Sequence, residues 1–132
     1  MHLSLQELKE ECLEYSKQIS KDEENFFNLT DAAQINSYVF CNGATFSPKT
    51  STQYIRGYIE GIRSTLGSCL VHILLVEDKM DNIDGFSRWH PKMKRIVNEK
   101  TNHKNLDDYN LGELNGQKEA LEYIGKRYKF AS

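Results

Sequence analysis

Apolar residues at spacings of three and four recur along most of the chain and predict helices. Leu5, Leu8, Cys12, Tyr15 and Ile19 form one such stripe, with charged residues on the opposite face. Ser4 with Glu7 three residues on is a capping box, and Leu3 and Leu8 supply the flanking hydrophobic pair. An amphipathic helix is therefore expected over residues 4–22. Its heptad-like spacing lasts only about two and a half heptads, so packing on the protein's own core is the expected role.

Thr30 to Gln34 reads as a second helix entry, with Asp31 and Gln34 as its capping pair. The segment from Ile35 to Phe46 has two readings. Ser37 to Cys41 has strand propensity and Asn42-Gly43 is a hairpin signal, which gives a small β-hairpin at 37–47. Alternatively Gly43 terminates a short helix. Ser47 to Ser51 is a loop, with Ser51 placed to cap the next helix.

From Ile55 the apolar positions Ile59, Ile62, Leu66, Leu70, Ile73, Val76, Met80 and Ile83 hold helical spacing. They predict one long helix with Gly67 inside it, at a cost of about 1 kcal/mol relative to alanine. The alternative ends the helix at Gly67 and makes 69–76 a buried strand in an α+β fold. Residues 77–85 are acid-rich and read as a connection. His90-Pro91 then opens a helix with proline at its first position, and Asn105 or Asp107 caps a last helix reaching about Tyr128. The expected architecture is a mainly α single globular domain over 1–132, a compact bundle of four to five helices.

An internal repeat sharpens that picture. The frame Y-x-x-G-x-[IL]-x-G-x-[RK]-x-[TA]-L aligns Tyr54–Leu66 with Tyr109–Leu121 without gaps. On helices, Gly57, Gly61 and Thr65 share one face, as do Gly112, Gly116 and Ala120. Glycine disfavours a helix interior, and close backbone approach is what offsets that penalty. The two helices are therefore expected to pack on each other, or each on its copy in a homodimer.

At 132 residues and 39% hydrophobic composition the chain is long enough to bury a core without disulfides or metals. Cys12, Cys41 and Cys69 are odd in number and irregularly spaced, which reads as reduced thiols rather than a disulfide framework. The N-terminal residues carry acids and lack a continuous apolar run, so no signal peptide is expected. The most apolar stretch, Cys69 to Val76, is too short to cross a bilayer. A cytoplasmic location and no membrane partner follow as expectations.

A net charge of −2 excludes both a polycation that coats nucleic acid and a polyanionic mimic of it. The total hides a segregation. Residues 1–31 carry eight acids against three lysines, with Glu7, Glu11 and Glu14 along one helix. Residues 86–104 carry six cations against Glu99 alone, and Trp89 sits among Arg88, Lys92 and Arg95. This segment has three readings: a solvated basic face with Trp89 in the core, a protein-binding patch anchored by tryptophan and arginine, and a nucleic-acid contact made by an aromatic residue among cations.

Catalytic motifs are weak. Val71 to Asp78 resembles the first strand of a response-regulator receiver domain, but only 54 residues follow Asp78, too few for the remaining receiver elements. Glu77-x-Lys79 matches half of a metal-dependent nuclease site whose second acid should lie on a preceding strand. Asp78, Asp81, Asp84 and Gly85 hint at a calcium loop, yet Met80 and Pro91 fall at two of its ligand positions. His2, His72, His90 and His103 show no ligand spacing with each other or with cysteine. No metal or cofactor is expected, and His72 reads as a core histidine. The short, Lys/Asn-rich style is similar to small phage or bacterial accessory proteins, among them immunity proteins and inhibitors of host defence. Without a catalytic constellation, a non-catalytic interaction protein is expected, whose acidic N-terminal helix offers a face for a basic, nucleic-acid-handling partner. The alternatives are a nucleic-acid-binding regulator acting through 86–104 and a metal nuclease using Glu77 and Lys79.

Overall fold

The computed structural model describes residues 2–80, 82–103 and 105–130, in which there are five helices and no strand. Asp81 and Lys104 lie outside the described residues. The helices are α1 (Leu5–Phe27), α2 (Ala32–Ser37), α3 (Thr52–Glu77), α4 (Ile83–Thr101) and α5 (Asp108–Arg127).

Short polar side chains start each helix. Ser4 and Glu7 close a reciprocal box on α1, with Glu7 N–H to Ser4 Oγ at 3.2 Å and Ser4 N–H to Glu7 Oε1 at 3.0 Å. Asp31, Ser51, Asn82 and Asp107 cap the other four in the same sense. The first helix runs to Phe27, beyond the expected end at 22, because Phe26 continues the buried stripe of Leu8, Cys12, Tyr15 and Ile19.

Helix α3 occupies the centre, with α1, α4 and α5 packed on it. It is unbroken from Thr52 to Glu77, so the strand expected as an alternative at 69–76 does not form. Cys69 and Ile73 continue the buried face begun by Ile55, Ile59, Ile62 and Leu66, which a strand of period two would break. By length and composition α3 is apolar enough to cross a membrane. About 39% of its most apolar window is buried in the bundle, and Val71 and Leu74 of the same helix are exposed.

The glycine stripes meet within the chain. A Cβ on Gly57 would fall on the Tyr109 carbonyl and within 2.9 Å of the Glu113 amide nitrogen, and one on Gly61 on the Glu113 carbonyl and within 2.9 Å of Gln117 N. A Cβ on Gly112 or Gly116 would strike the carbonyls of Tyr54 and Tyr58 in return. Four residues along α3 correspond to four along α5 in the same direction, so the helices are parallel. Exchanging the two copies of the repeat maps each contact onto its counterpart, which makes the pair a local two-fold inside one chain. Each carbonyl faces a glycine Cα–H, a weak hydrogen-bonding geometry seen at close helix crossings. Asn115 adds a side-chain bond to the Tyr54 hydroxyl at 2.6 Å. The alternative of a homodimer through these glycines is corrected: their faces are already covered by each other.

Parallel neighbours require the chain to return, and the 19 residues of α4, about 28 Å at the helical rise, supply that path. This helix starts at Ile83 and not at His90-Pro91 as expected. Asn82 caps it, and starting there places Phe86, Trp89, His90 and Val97 on one buried face. Pro91 is consequently internal to the helix, and burial of that face outweighs the backbone bond that proline cannot donate.

At the other end of α3, Asp78 is the C-cap and Lys79 follows at φ 59°. Met80 N–H donates to Leu75 O at 2.9 Å and Lys79 N–H to Val76 O at 3.1 Å, the paired bonds of a Schellman motif. Glycine is the residue that adopts this left-handed position without strain. Lys79→Gly is expected to stabilise the protein by about 1 kcal/mol in urea titrations. An unchanged midpoint would show that the lysine bears no strain there.

The β-hairpin expected at 37–47 is also corrected. Residues 38–50 form a folded loop. Asn42-Gly43 does turn the chain, with Gly43 at φ 87°, Gly43 N–H to Phe40 O at 2.8 Å and Phe40 N–H to Ala44 O at 2.9 Å. No ladder extends from the turn because Phe40 and Phe46 point into an aromatic cluster with Phe26, Tyr38 and Tyr58. Asp22 holds the loop by accepting from the Tyr38 hydroxyl at 2.7 Å and the Cys41 amide at 2.8 Å.

Candidate functional site

The sequence-derived candidates fall on two separate surfaces. Arg88, Lys92 and Arg95 are exposed on the outer face of α4, opposite its buried stripe. Trp89 does not join them. It is 5% exposed, and its indole N–H donates to Ser68 Oγ on α3 at 3.0 Å. As a partner-binding residue it is corrected to a core residue. Sequence alone placed it among cations, whereas the helical turn puts it about 100° away from Arg88.

Glu7, Glu11 and Glu14 share one flank of α1. Glu7 is spent on the helix cap, and its bonds from Ser4 hold the carboxyl below its ordinary value. Glu11 pairs with Arg127 Nε at 3.0 Å, and Glu14 accepts from the Gln18 amide at 2.8 Å. Glu11 and Glu14 line a cleft of about 580 Å³ between α1, the tip of the 38–50 loop and the second half of α5. The opposite wall carries Glu119, Glu122, Tyr123, Lys126 and Arg127.

Three features give this cleft its chemistry. Four carboxylates face two cations, and both cations are already paired: Arg127 with Glu11, and Lys126 with Glu122 at 2.9 Å. The Arg127 guanidinium lies over the Tyr123 ring, 3.5 Å from its centroid, and also donates to the Tyr123 carbonyl at 3.1 Å. Tyr15 packs against Tyr123 with ring centroids 4.5 Å apart, and its hydroxyl is buried without a hydrogen bond. Asn42 stands beside that hydroxyl but gives its amide to Tyr58 at 2.8 Å. Burial pushes the Tyr58 phenol up to about 12, and the Glu119 carboxylate adds to the shift. The Tyr15 phenol is raised for the same first reason, with Glu119 again contributing. Both phenols therefore stay neutral donors at any physiological pH.

Sequence reasoning missed Tyr15, Asn42, Glu119, Tyr123 and Arg127. In the sequence Tyr15 reads only as one position of the apolar stripe of α1. The available signal was a second stripe on α5, where Glu119, Glu122, Tyr123 and Lys126 recur at spacings of three and four and turn one polar face toward α1.

A second cavity of about 420 Å³ lies between α4 and α5, with His90, Lys94, Asn98 and Lys118 on its walls. His90 is 8% exposed, and Nε2–H donates to the Leu121 carbonyl at 2.7 Å. Its ring occupies the space left by Gly125, where a Cβ would lie 2.9 Å from the imidazole. Burial lowers its pKa below 6.5, helped by the Lys94 charge and opposed by the Leu121 carbonyl. The unfolded chain therefore takes up this proton at a higher pH than the folded one. Stability is expected to hold above about pH 6.5 and to fall as pH drops from there toward the folded-state pKa. Denaturant midpoints from pH 7.5 to 5 should show that loss, and His90→Gln should remove its histidine component.

The remaining chemical candidates are dispersed. Glu77 is paired with Lys9 at 2.9 Å at the end of a helix, with Lys79 in the turn beyond it, so the strand framework of the nuclease reading is missing. Among the described residues no group of three or more His, Cys, Asp and Glu side chains is placed to hold a metal ion. His72 donates from Nδ1 to the Ser68 carbonyl of its own helix at 2.8 Å. Cys12 and Cys69 are buried. Partial burial and the Asp22 carboxylate push the Cys41 thiol up to about 12, far from a reactive thiolate.

No protein-family model, curated protein or solved structure matches this chain. Its functional reading rests on the geometry above.

Proposed function

We propose that the protein is a non-catalytic binding protein whose acidic α1–α5 face receives a basic segment of a partner protein. The observation that carries this reading is the cleft beside Glu11 and Glu14, where carboxylates outnumber the cations that neutralise them. A partner that handles nucleic acid has the complementary charge, and small inhibitor and immunity-type proteins act through such acidic surfaces. Electrostatic complementarity of this kind sets the encounter rate and excludes like-charged partners. The experiment is capture of partners from a lysate of the source cells with the native chain and with two variants. Glu11→Gln combined with Glu14→Gln should lose a basic partner, while Arg88→Gln combined with Lys92→Gln and Arg95→Gln keeps it.

The exposed cations of α4 favour the second reading, contact with nucleic acid. Burial of Trp89 removes the base-stacking element of that reading, leaving phosphate contacts alone. Titration with duplex and single-stranded DNA at two salt concentrations separates the readings. Binding that weakens steeply with salt and vanishes in the α4 variant supports the regulator instead.

A further inference from the structure

We infer that the cleft between α1, the 38–50 loop and α5 is a recognition pocket for a single guanidinium or primary ammonium group carried on the partner's basic segment. The inference rests on the binding function proposed above and names the group that is recognised. It differs from a general acidic patch, because the cleft already holds one cation in a defined manner. Arg127 combines an aromatic face beneath the guanidinium, a carboxylate at 3.0 Å and a backbone carbonyl at 3.1 Å. The same materials recur beside it without a cation. Glu14 has only the Gln18 amide, and Glu119 lines the same cleft without an ion pair among the described residues. Between these lies Tyr15, 6% exposed, with its hydroxyl lacking any hydrogen-bond partner. A buried hydroxyl left in that state is costly unless a ligand or water completes it. A cationic N–H group entering the cleft lined by Glu14 and Glu119 meets two carboxylates and the Tyr15 hydroxyl oxygen as acceptor. Arginine fits better than lysine, because its planar fork bonds two acceptors at once while the ammonium acts as a point charge.

Three peptides of equal length test this by isothermal titration and amide chemical-shift mapping. One is rich in arginine, one in lysine and one in glutamate. The arginine peptide should bind most tightly and shift the amides of Glu14, Tyr15, Asn42, Glu119 and Tyr123. Glu14→Gln with Glu119→Gln should weaken it about tenfold or more, the scale of losing charge-assisted hydrogen bonds. Tyr15→Phe should weaken the arginine peptide while raising the melting temperature of the free protein, a pairing that a purely structural tyrosine does not give. Glu10→Gln with Glu24→Gln, on the outer face of α1, should leave affinity within twofold. Equal losses in the cleft and outer-face variants, or shifts spread along all of α1, overturn the pocket. In that case partner capture that survives the Glu119→Gln change would leave the binding function standing without it. Absence of arginine-peptide binding at low salt also overturns the inference. Capture failing in every variant and in the native chain would remove the broader reading instead.

Discussion

Gly61→Ala is expected to destabilise the protein by about 2–3 kcal/mol, while Gly67→Ala, six residues along the same helix, stabilises it by about 0.5–1 kcal/mol. The two substitutions gain the same helix propensity and differ only in what the new methyl meets. At Gly67 nothing lies within 4 Å of the added Cβ. At Gly61 the methyl strikes the Glu113 carbonyl and Gln117 amide of α5, and backbone cannot rotate aside as a side chain does. The helices must move apart, and the loss spreads to the core residues between them, including Ile62, Leu66 and Leu121. Chemical denaturation of the two variants in parallel measures the difference. If Gly61→Ala proves as stable as the native chain, the close crossing is wrong.

The two-fold relation adds a sharper expectation. Gly116→Ala should match Gly61→Ala in size, because each glycine faces the counterpart of the other's contact. The double variant should cost less than the sum. Once the helices have separated to admit one methyl, the second enters space already opened, and neighbouring changes that share one displacement are not additive. Against a total stability of about 5–15 kcal/mol, either single change removes a large share.

That pair of helices was the part of the fold most legible in the sequence, because a repeated glycine spacing has few physical explanations. Their parallel direction was not legible, since it depends on where α4 returns the chain. Helix starts were readable where a Ser or Asp stood just before an apolar stripe, as at Ser4, Asp31 and Ser51, while at the last helix Asn105 competed with Asp107. Asn82 escaped because its acid-rich surroundings look like a loop and Pro91 offers a competing start signal. The fate of 69–76 turned on packing: a short apolar run fits strand or helix until its partners are known, and here α1 covers Cys69 while α4 covers Ser68 and His72. The cleft was least legible of all. Its walls come from residues 11–18, 41–42 and 119–127, and no local spacing reports that these segments converge. Glu11 and Glu14 were identified from charge alone, which finds acids but cannot find Tyr15 or the unpaired Glu119 beside them.

Phe40→Ala is expected to cost about 3–5 kcal/mol, whereas Val39→Ala beside it should stay within about 0.5 kcal/mol. Phe40 is 2% exposed and Val39 is 59% exposed, so two adjacent hydrophobic residues differ almost entirely in burial. The Phe40 ring touches those of Phe26, Tyr38 and Phe46, each with centroids 5.3 Å away. Its removal leaves a cavity where α1, the 38–50 loop and α3 join, and the loop has no ladder of backbone bonds to hold it in compensation. The consequence reaches the cleft. Cys41 and Asn42 follow Phe40 directly, and they form the loop wall beside Tyr15. When the ring that anchors them is gone, Asn42 should withdraw from Tyr58 and the wall should loosen before the helices do. Amide hydrogen exchange distinguishes this local release from global unfolding: protection at Gly43 and Ala44 should fall further than at Ile59 or Leu121. Uniform loss of protection across all four would mean that the loop is bound into the core as one cooperative unit. Loss confined to the loop would make Phe40 the residue through which the core sets the shape of the binding cleft.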